Sequence, residues 1–139
     1  MKKTIGATMA IILVSALSFG LAQEQPQAAA GNKPISWDNW RAAKLAAEKA
    51  DNDGKFGEAL QYYLEYARQA EGLGSPEIVV WGKNNAAFMI IKMHKQDATV
   101  NLAPAKKLLE EALALGKATE DCKKLLDMNL EYVNLFIKK

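Results

Sequence analysis

The sequence contains one cysteine and one histidine, and this scarcity excludes several kinds of site. Cys122 cannot form a disulfide within the chain, so packing alone has to hold the fold together. His94 has no cysteine or second histidine near it in the sequence, which excludes the usual spacing of a zinc site. We expect His94 at the surface. The position of Cys122 on the apolar stripe of its helix favours a buried side chain, and a thiol that pairs between chains is the alternative.

The chain also lacks recognisable catalytic and ligand motifs. There is no glycine-rich phosphate loop and no Ser/His/Asp set in the sequence. The acidic stretch 51–54 resembles the start of a calcium loop, but the first ligand position would be Lys49 and the twelfth would be Leu60. We therefore interpret 51–54 as a turn between helices. The sequence predicts a protein that is not an enzyme and that uses no cofactor or metal.

An excess of charge is missing as well, once the N-terminal segment is set aside. The formal net charge of +2 equals the contribution of Lys2 and Lys3, because residues 1–22 contain no acid. The rest of the chain carries equal numbers of acidic and basic residues. The electrostatic attraction on which nucleic-acid binding depends is therefore absent, and we expect no nucleic-acid partner.

The N-terminal segment has the pattern of a secretory signal. Two lysines precede an uncharged stretch from residue 4 to residue 22. The small residues of 20–22 predict cleavage before Gln23, with a cut after 28–30 as a later alternative. An uncleaved anchor is the other alternative, because the stretch approaches the ~20 residues that a bilayer requires. We expect bacterial export, a periplasmic or secreted protein and no stable membrane insertion after cleavage.

The remaining chain divides into a short leader and one helical domain. Residues 23–35 show no periodic apolar face and contain proline and glycine, which predicts a disordered leader. Residues 36–139 show apolar residues at helical spacing and no alternation of period two, so strands are not expected. An N-cap at Ser36, a cap with a first-position proline at Ser75 and Pro76, and glycines mark the boundaries. The predicted all-α domain has about five helices, at 37–52, 56–70, 76–94, 103–115 and 119–137.

Read in pairs, the helices show an internal repeat. The second helix of each pair carries large and small apolar residues at similar spacing, Gly54 lies in the first turn, and Trp81 and Phe88 lie seven residues apart on the third helix. This pattern resembles tetratricopeptide repeats, in which Trp81 and Phe88 would take first-helix aromatic positions. The resemblance covers roughly residues 37–115 and departs from the pattern at Tyr66 and Asn85. It implies a short right-handed solenoid of antiparallel hairpins, about two repeats with the fifth helix as a cap. The spacing is carried by Phe56, Ala59 and Tyr63 and by Leu102, Ala105, Leu109 and Ala112.

The family resemblance further implies a concave face, built from first helices, that binds a protein or peptide segment. The family's lysine and asparagine clamp for a terminal carboxylate is not reproduced, because Glu48 stands at the first asparagine position. The centre of the face would suit an amphipathic or extended segment, although the same residues could instead be core beneath the fifth helix. The predicted partner-binding residues are Lys44, Glu48, Met89, Ile90, Lys124, Met128 and Tyr132. Carried over by position, the wider face would also contain Arg41, Asp51, Val79, Gly82, Ala86 and Glu131.

Two functions remain open from the sequence. The first is an exported, tetratricopeptide-like interaction module that binds a partner on this face. The second is a small structural accessory subunit of a bacterial cell-envelope complex, whose exposed apolar surface is permanently buried.

Trp40 and Trp81 are in phase with the core and are expected to pack, whereas Trp37 is expected to be exposed.

Overall fold

The computed structural model describes residues 33–137 and places them in five α-helices without a strand. The predicted all-α fold is confirmed for this part of the chain. The predicted signal and the leader up to residue 32 lie outside the described residues. The helices are α1 (Trp37–Asn52), α2 (Phe56–Gly72), α3 (Pro76–Gln96), α4 (Ala103–Ala114) and α5 (Glu120–Ile137).

Local chemistry explains where the helices begin and end. Ser36 caps α1 as predicted, since its hydroxyl accepts a hydrogen bond from the Asn39 N–H at 3.1 Å. The prediction ended α2 at residue 70, but Gly72 is still helical. Gly74 is the residue with a positive φ, of 69°, and it ends the helix there. Ser75 makes no side-chain capping bond, contrary to the prediction. Its carbonyl instead accepts from the N–H of Val79.

The helices pack in sequence order, which gives a short helical solenoid. Each helix packs against the next, and α3 also packs against α5. The links between α1 and α2 and between α2 and α3 are three residues long, so these neighbours run antiparallel. Small side chains dominate a first core cluster, where they allow α1, α2 and α3 to approach one another closely, and larger side chains fill a second cluster. The first contains Ala47, Ala50, Ala59, Tyr63, Ala86 and Met89; the second contains Val80, Ala87, Ile90, Ile91, Leu102, Ala105, Leu109, Ala112, Cys122, Leu126 and Val133.

The two scarce residues both lie inside the fold. Cys122 is fully buried, which confirms the first interpretation, and burial raises the pKa of its thiol. His94 is also buried, so the prediction of a surface histidine is wrong. Its Nδ1 lies 3.0 Å from the Tyr132 hydroxyl, and its ring makes an edge contact with Phe136. The packing of α5 on the end of α3 covers this histidine.

Residues 33–36 are held against α2 by polar contacts. The buried side chain of Gln69 accepts from the Ser36 N–H at 2.9 Å and donates to the Pro34 carbonyl at 3.0 Å. Arg68 donates to the Lys33 carbonyl at 2.6 Å. The prediction assigned residues 33–35 to the disordered leader, but hydrogen bonds to the carbonyls of Lys33 and Pro34 attach this segment to α2.

A buried carboxylate supports this attachment. Glu65 is 5% exposed, and its oxygens accept from Arg68 at 2.7 Å and from Gln69 at 2.9 Å. Burial raises the pKa of Glu65, but these hydrogen bonds outweigh burial and hold it below its ordinary value. The carboxylate therefore stays ionised and orients both side chains that bind residues 33–36.

Candidate functional site

One side of α3 is less buried than the rest of the helix. Residues of α3 that face α2 and α4 are buried, but Trp81, Asn85, Phe88 and Lys92 are only partly buried. Their spacing of four, three and four residues places them on one stripe of the helix. Lys92 of this stripe contacts Asp51 of α1, and Asn84 beside the stripe accepts a hydrogen bond from Asn129 of α5, so both helices adjoin α3 here. We call this region the α1–α3–α5 face, and its remaining members are Trp37, Lys44 and Glu48 on α1 and Met128 and Tyr132 on α5.

The α1 side of the face is fixed by an ion pair with α3. Lys92 Nζ lies 2.6 Å from an Asp51 carboxylate oxygen, and about a quarter of each side chain is exposed. The same ammonium lies 4.9 Å from the centre of the Phe88 ring and 5.1 Å from that of Phe56, within the range of cation–π attraction. Asp51 was predicted on the binding face, and here it joins the first helix to the third.

Aromatic rings continue along the α1 side. Trp37 is 47% exposed, as expected, and contacts Trp40 edge to face at 5.6 Å between ring centres. Trp40 packs on Tyr66 at 5.3 Å, and Tyr66 contacts Tyr63 at 6.4 Å. The row therefore runs from solvent into the α1–α2 contact, which gives the face a rigid aromatic end.

Charges line the same side of α1. Lys44 and Glu48 form an ion pair at 3.6 Å, and each side chain is 46% exposed. Glu48 lies one turn before Asp51 and Lys44 two turns before it, on the same side of α1. Burial, and then the charges of Asp51 and Glu48, raise the pKa of Tyr63 to about 12. The Tyr63 phenol therefore keeps its proton at neutral pH.

The α5 side of the face is apolar. Met128 is 63% exposed and lies one turn from Tyr132, which packs on His94 and Phe136. Lys95 at the end of α3 places its ammonium 5.1 Å from the centre of the Tyr132 ring. Asn129 also donates to the buried Asn84 at 3.0 Å, which fixes α5 against α3. The polar contacts therefore hold α5 in place and leave its methionine exposed.

The structure corrects part of the predicted site. Met89 and Ile90 are 1% and 5% exposed and belong to the two core clusters, so they do not line a groove. Val79, Gly82 and Ala86 are buried as well. The predicted face of α3 was on the wrong side of the helix, because those residues turn toward α2 and α4. The sequence signal for the right stripe was the seven-residue spacing of Trp81 and Phe88.

The other predicted residues are accessible. Lys44, Glu48 and Met128 are exposed on the α1–α3–α5 face, and Tyr132 is partly buried there. Lys124 lies at the outer edge of α5, where it contacts Glu120 and Asp121 at 3.3 and 3.8 Å. The structure thus brings the α1 and α5 residues to opposite sides of the α3 stripe, with Lys124 farthest from it.

Within residues 33–137, no group of three or more histidine, cysteine or acidic side chains could hold a metal ion. No helix in the same range combines the length and the apolar character needed to cross a membrane. Searches of protein families, curated proteins and solved structures find no match to this chain.

Proposed function

We propose that the chain is an exported interaction module, similar in plan to a tetratricopeptide-repeat protein, that binds a protein or peptide segment along the α1–α3–α5 face. The observation that carries the proposal is the α3 stripe of Trp81, Asn85, Phe88 and Lys92, which stays partly exposed among residues 33–137 while the rest of α3 that faces its neighbours is buried. Aromatic residues are enriched in protein interfaces, and tryptophan is among the residues that dominate their binding energy, so Trp81 and Phe88 suit such a role.

The two sides of the face suggest what the bound segment contains. The α1 side offers the Lys44–Glu48 pair and the exposed ring of Trp37, whereas the α5 side offers Met128. A segment with apolar side chains toward α5 and polar ones toward α1 would match both sides. Methionine adapts its shape to irregular partners, which suits such a contact.

Site-specific photocrosslinking in the producing cells tests this proposal. A photoreactive phenylalanine analogue is placed at Lys44 or Asn85 in the full chain, and a matched control carries it at Lys107. Lys107 is an exposed lysine on α4, away from the face. We expect the same adduct from Lys44 and Asn85 and none of that mass from Lys107. An adduct that forms from Lys107 alone, or no adduct at either face position, would exclude this face as the site.

Export is the second element of the proposal, and it rests on the pattern of residues 1–22. Intact mass and N-terminal sequencing of the protein recovered from the periplasm or the medium test it. We expect the chain to begin at Gln23, or at Gly31 if the later cut is used. If the protein is found only in the membrane fraction and still carries residues 1–22, the uncleaved anchor is favoured.

The alternative function, a structural accessory subunit of a cell-envelope complex, has one observation in its favour. Leu125, Met128, Leu135 and Phe136 of α5 are each more than 40% exposed, and they are large apolar residues on one helix. A permanent interface would cover such residues. Co-purification of one partner at a fixed ratio after a high-salt wash would favour this function over transient peptide binding.

A further inference from the structure

The apolar residues of α5 form a defined surface. Leu125, Met128, Leu135 and Phe136 lie within one stripe about 100° wide, beside the side of α5 that packs on α3 and α4. Their exposed fractions are 41%, 63%, 61% and 42%. We call this set the α5 stripe. Its Phe136 ring also contacts the His94 ring of α3, at 5.1 Å between ring centres, whereas Leu125, Met128 and Leu135 are exposed beside it.

We propose that the α5 stripe is a self-association surface, on which two copies of the chain pair through antiparallel α5 helices about a two-fold axis. The axis passes close to Met128, so that the two Met128 side chains meet. Leu125 of each copy then packs against Tyr132 of the second copy. Closed two-fold pairing is the commonest form of homo-oligomer, because one self-complementary patch serves both copies.

Two opposite charges at the edge of the α5 stripe favour a second copy of the chain as the partner, paired antiparallel about Met128. Lys124 and Glu131 lie on the same edge of α5, seven residues or about 10 Å apart along the helix. A two-fold axis near Met128, midway between them, places Lys124 of one copy beside Glu131 of the other, and the reverse. Glu131 has no ion pair among residues 33–137, and Lys124 makes only exposed contacts with Glu120 and Asp121. Two complementary pairs thus flank the apolar contact.

The overall charge also permits the pairing. The chain without residues 1–22 has equal numbers of acidic and basic residues, so two copies do not repel each other at long range. Standard interfaces bury about 800 Å² per partner, and a stripe on one 18-residue helix offers less. We therefore expect a weak dimer, with a dissociation constant in the micromolar range. This inference goes beyond the proposed function, because it concerns self-association through α5. Met128 and Tyr132 belong to both surfaces, so a dimer would compete with a partner at the α5 side of the α1–α3–α5 face.

Analytical ultracentrifugation of the exported protein, purified from the producing cells, measures the dimerisation from about 5 to about 300 μM protein. We expect a concentration-dependent shift from monomer to dimer. Met128→Lys should leave a monomer at every concentration, whereas the matched control Leu45→Lys should dimerise like the original protein. Leu45 is 60% exposed on α1. Thermal melts verify that both variants are folded.

Charge reversal tests the register. Lys124→Glu or Glu131→Lys alone should weaken dimerisation about tenfold, because each creates two like-charged contacts. The double variant restores both pairs in reversed sense and should recover the original dissociation constant. A chain that remains monomeric at the highest concentration would overturn the proposal, as would single reversals that the double variant does not rescue. Crosslinking at Lys44 and Asn85 reads out the binding function separately, so one proposal can fail without the other.

Discussion

Replacement of Gly82 by alanine tests how closely α2 and α3 approach each other. Gly82 is buried in the first third of α3, and a β-carbon there would lie 2.7 Å from Tyr66 Cδ1 and 2.8 Å from the Ala67 β-carbon. Neither neighbour can move far. The Tyr66 ring packs between Trp40 and Tyr63, and the Ala67 β-carbon is fixed to the α2 backbone.

Two opposing effects set the size of the change. Alanine is better than glycine in a helix interior by about 1 kcal/mol, which favours the variant. Inserting a methyl group into a well-packed contact costs about 1–3 kcal/mol, and the upper part of this range applies because both neighbours are held. We therefore expect Gly82→Ala to lower the free energy of unfolding by about 1–2 kcal/mol. For a domain of this size the midpoint temperature should fall by about 5–15 °C.

Gly57→Ala is the matched control, since Gly57 is also helical. A β-carbon added at Gly57 would have only the Met93 sulfur near it, 3.9 Å away. Gly57 lies in the first turn of α2, where the propensity gain is smaller, so we expect stabilisation by about 0.5 kcal/mol. Urea unfolding followed by tryptophan fluorescence measures both variants. A Gly82→Ala protein as stable as the original, with Gly57→Ala behaving as expected, would refute the close approach of α2 and α3.

Three further predictions follow from polar and buried groups. Lys92→Met should lower the free energy of unfolding by about 1 kcal/mol, because it leaves Asp51 unpaired. In a double-mutant cycle with Asp51→Asn, measured by urea unfolding, the two side chains should couple by about 0.5–1 kcal/mol. Additive effects of the two substitutions would contradict the ion pair. The pKa of Glu65 is lowered in the fold, so its stabilisation is present above the unfolded pKa of about 4.3 and is lost as pH falls through the folded value. Glu65→Gln should therefore be less stable than the original at pH 7 by about 1–2 kcal/mol, and this gap should narrow toward pH 3; a gap independent of pH would contradict the assignment. Cys122 should resist a thiol reagent in the native protein and react fully in urea, because it is fully buried and burial raises its thiol pKa; rapid native reaction, followed by absorbance, would show that the α4–α5 contact opens.

The candidate site was predicted in part, and its residues show why. Lys44, Glu48 and Met128, which were predicted to bind a partner, are exposed, and their role stays a prediction. Met89 and Ile90 were assigned to the wrong side of α3, because this helix is apolar around most of its circumference. Its sequence therefore does not show which apolar residues meet a neighbouring helix.

His94 shows the same limit for a polar residue. It lies at the end of a helix in a stretch with lysines on either side in the sequence, and this local pattern is typical of a surface position. Tyr132 and Phe136, about forty residues later, provide its hydrogen bond and its ring contact. A contact over that separation exists only after α5 has packed on α3.

The sequence by itself determined the helices, because their signals are local. The hydroxyl of Ser36, the proline at position 76 and the turn around Gly54 act within a few residues, and the described helices begin at the predicted positions or within one residue of them. The tertiary structure alone decided the open side of α3, the burial of His94 and the attachment of residues 33–35 to Gln69. Each depends on how one helix rotates against another, and that rotation is fixed by packing between distant residues.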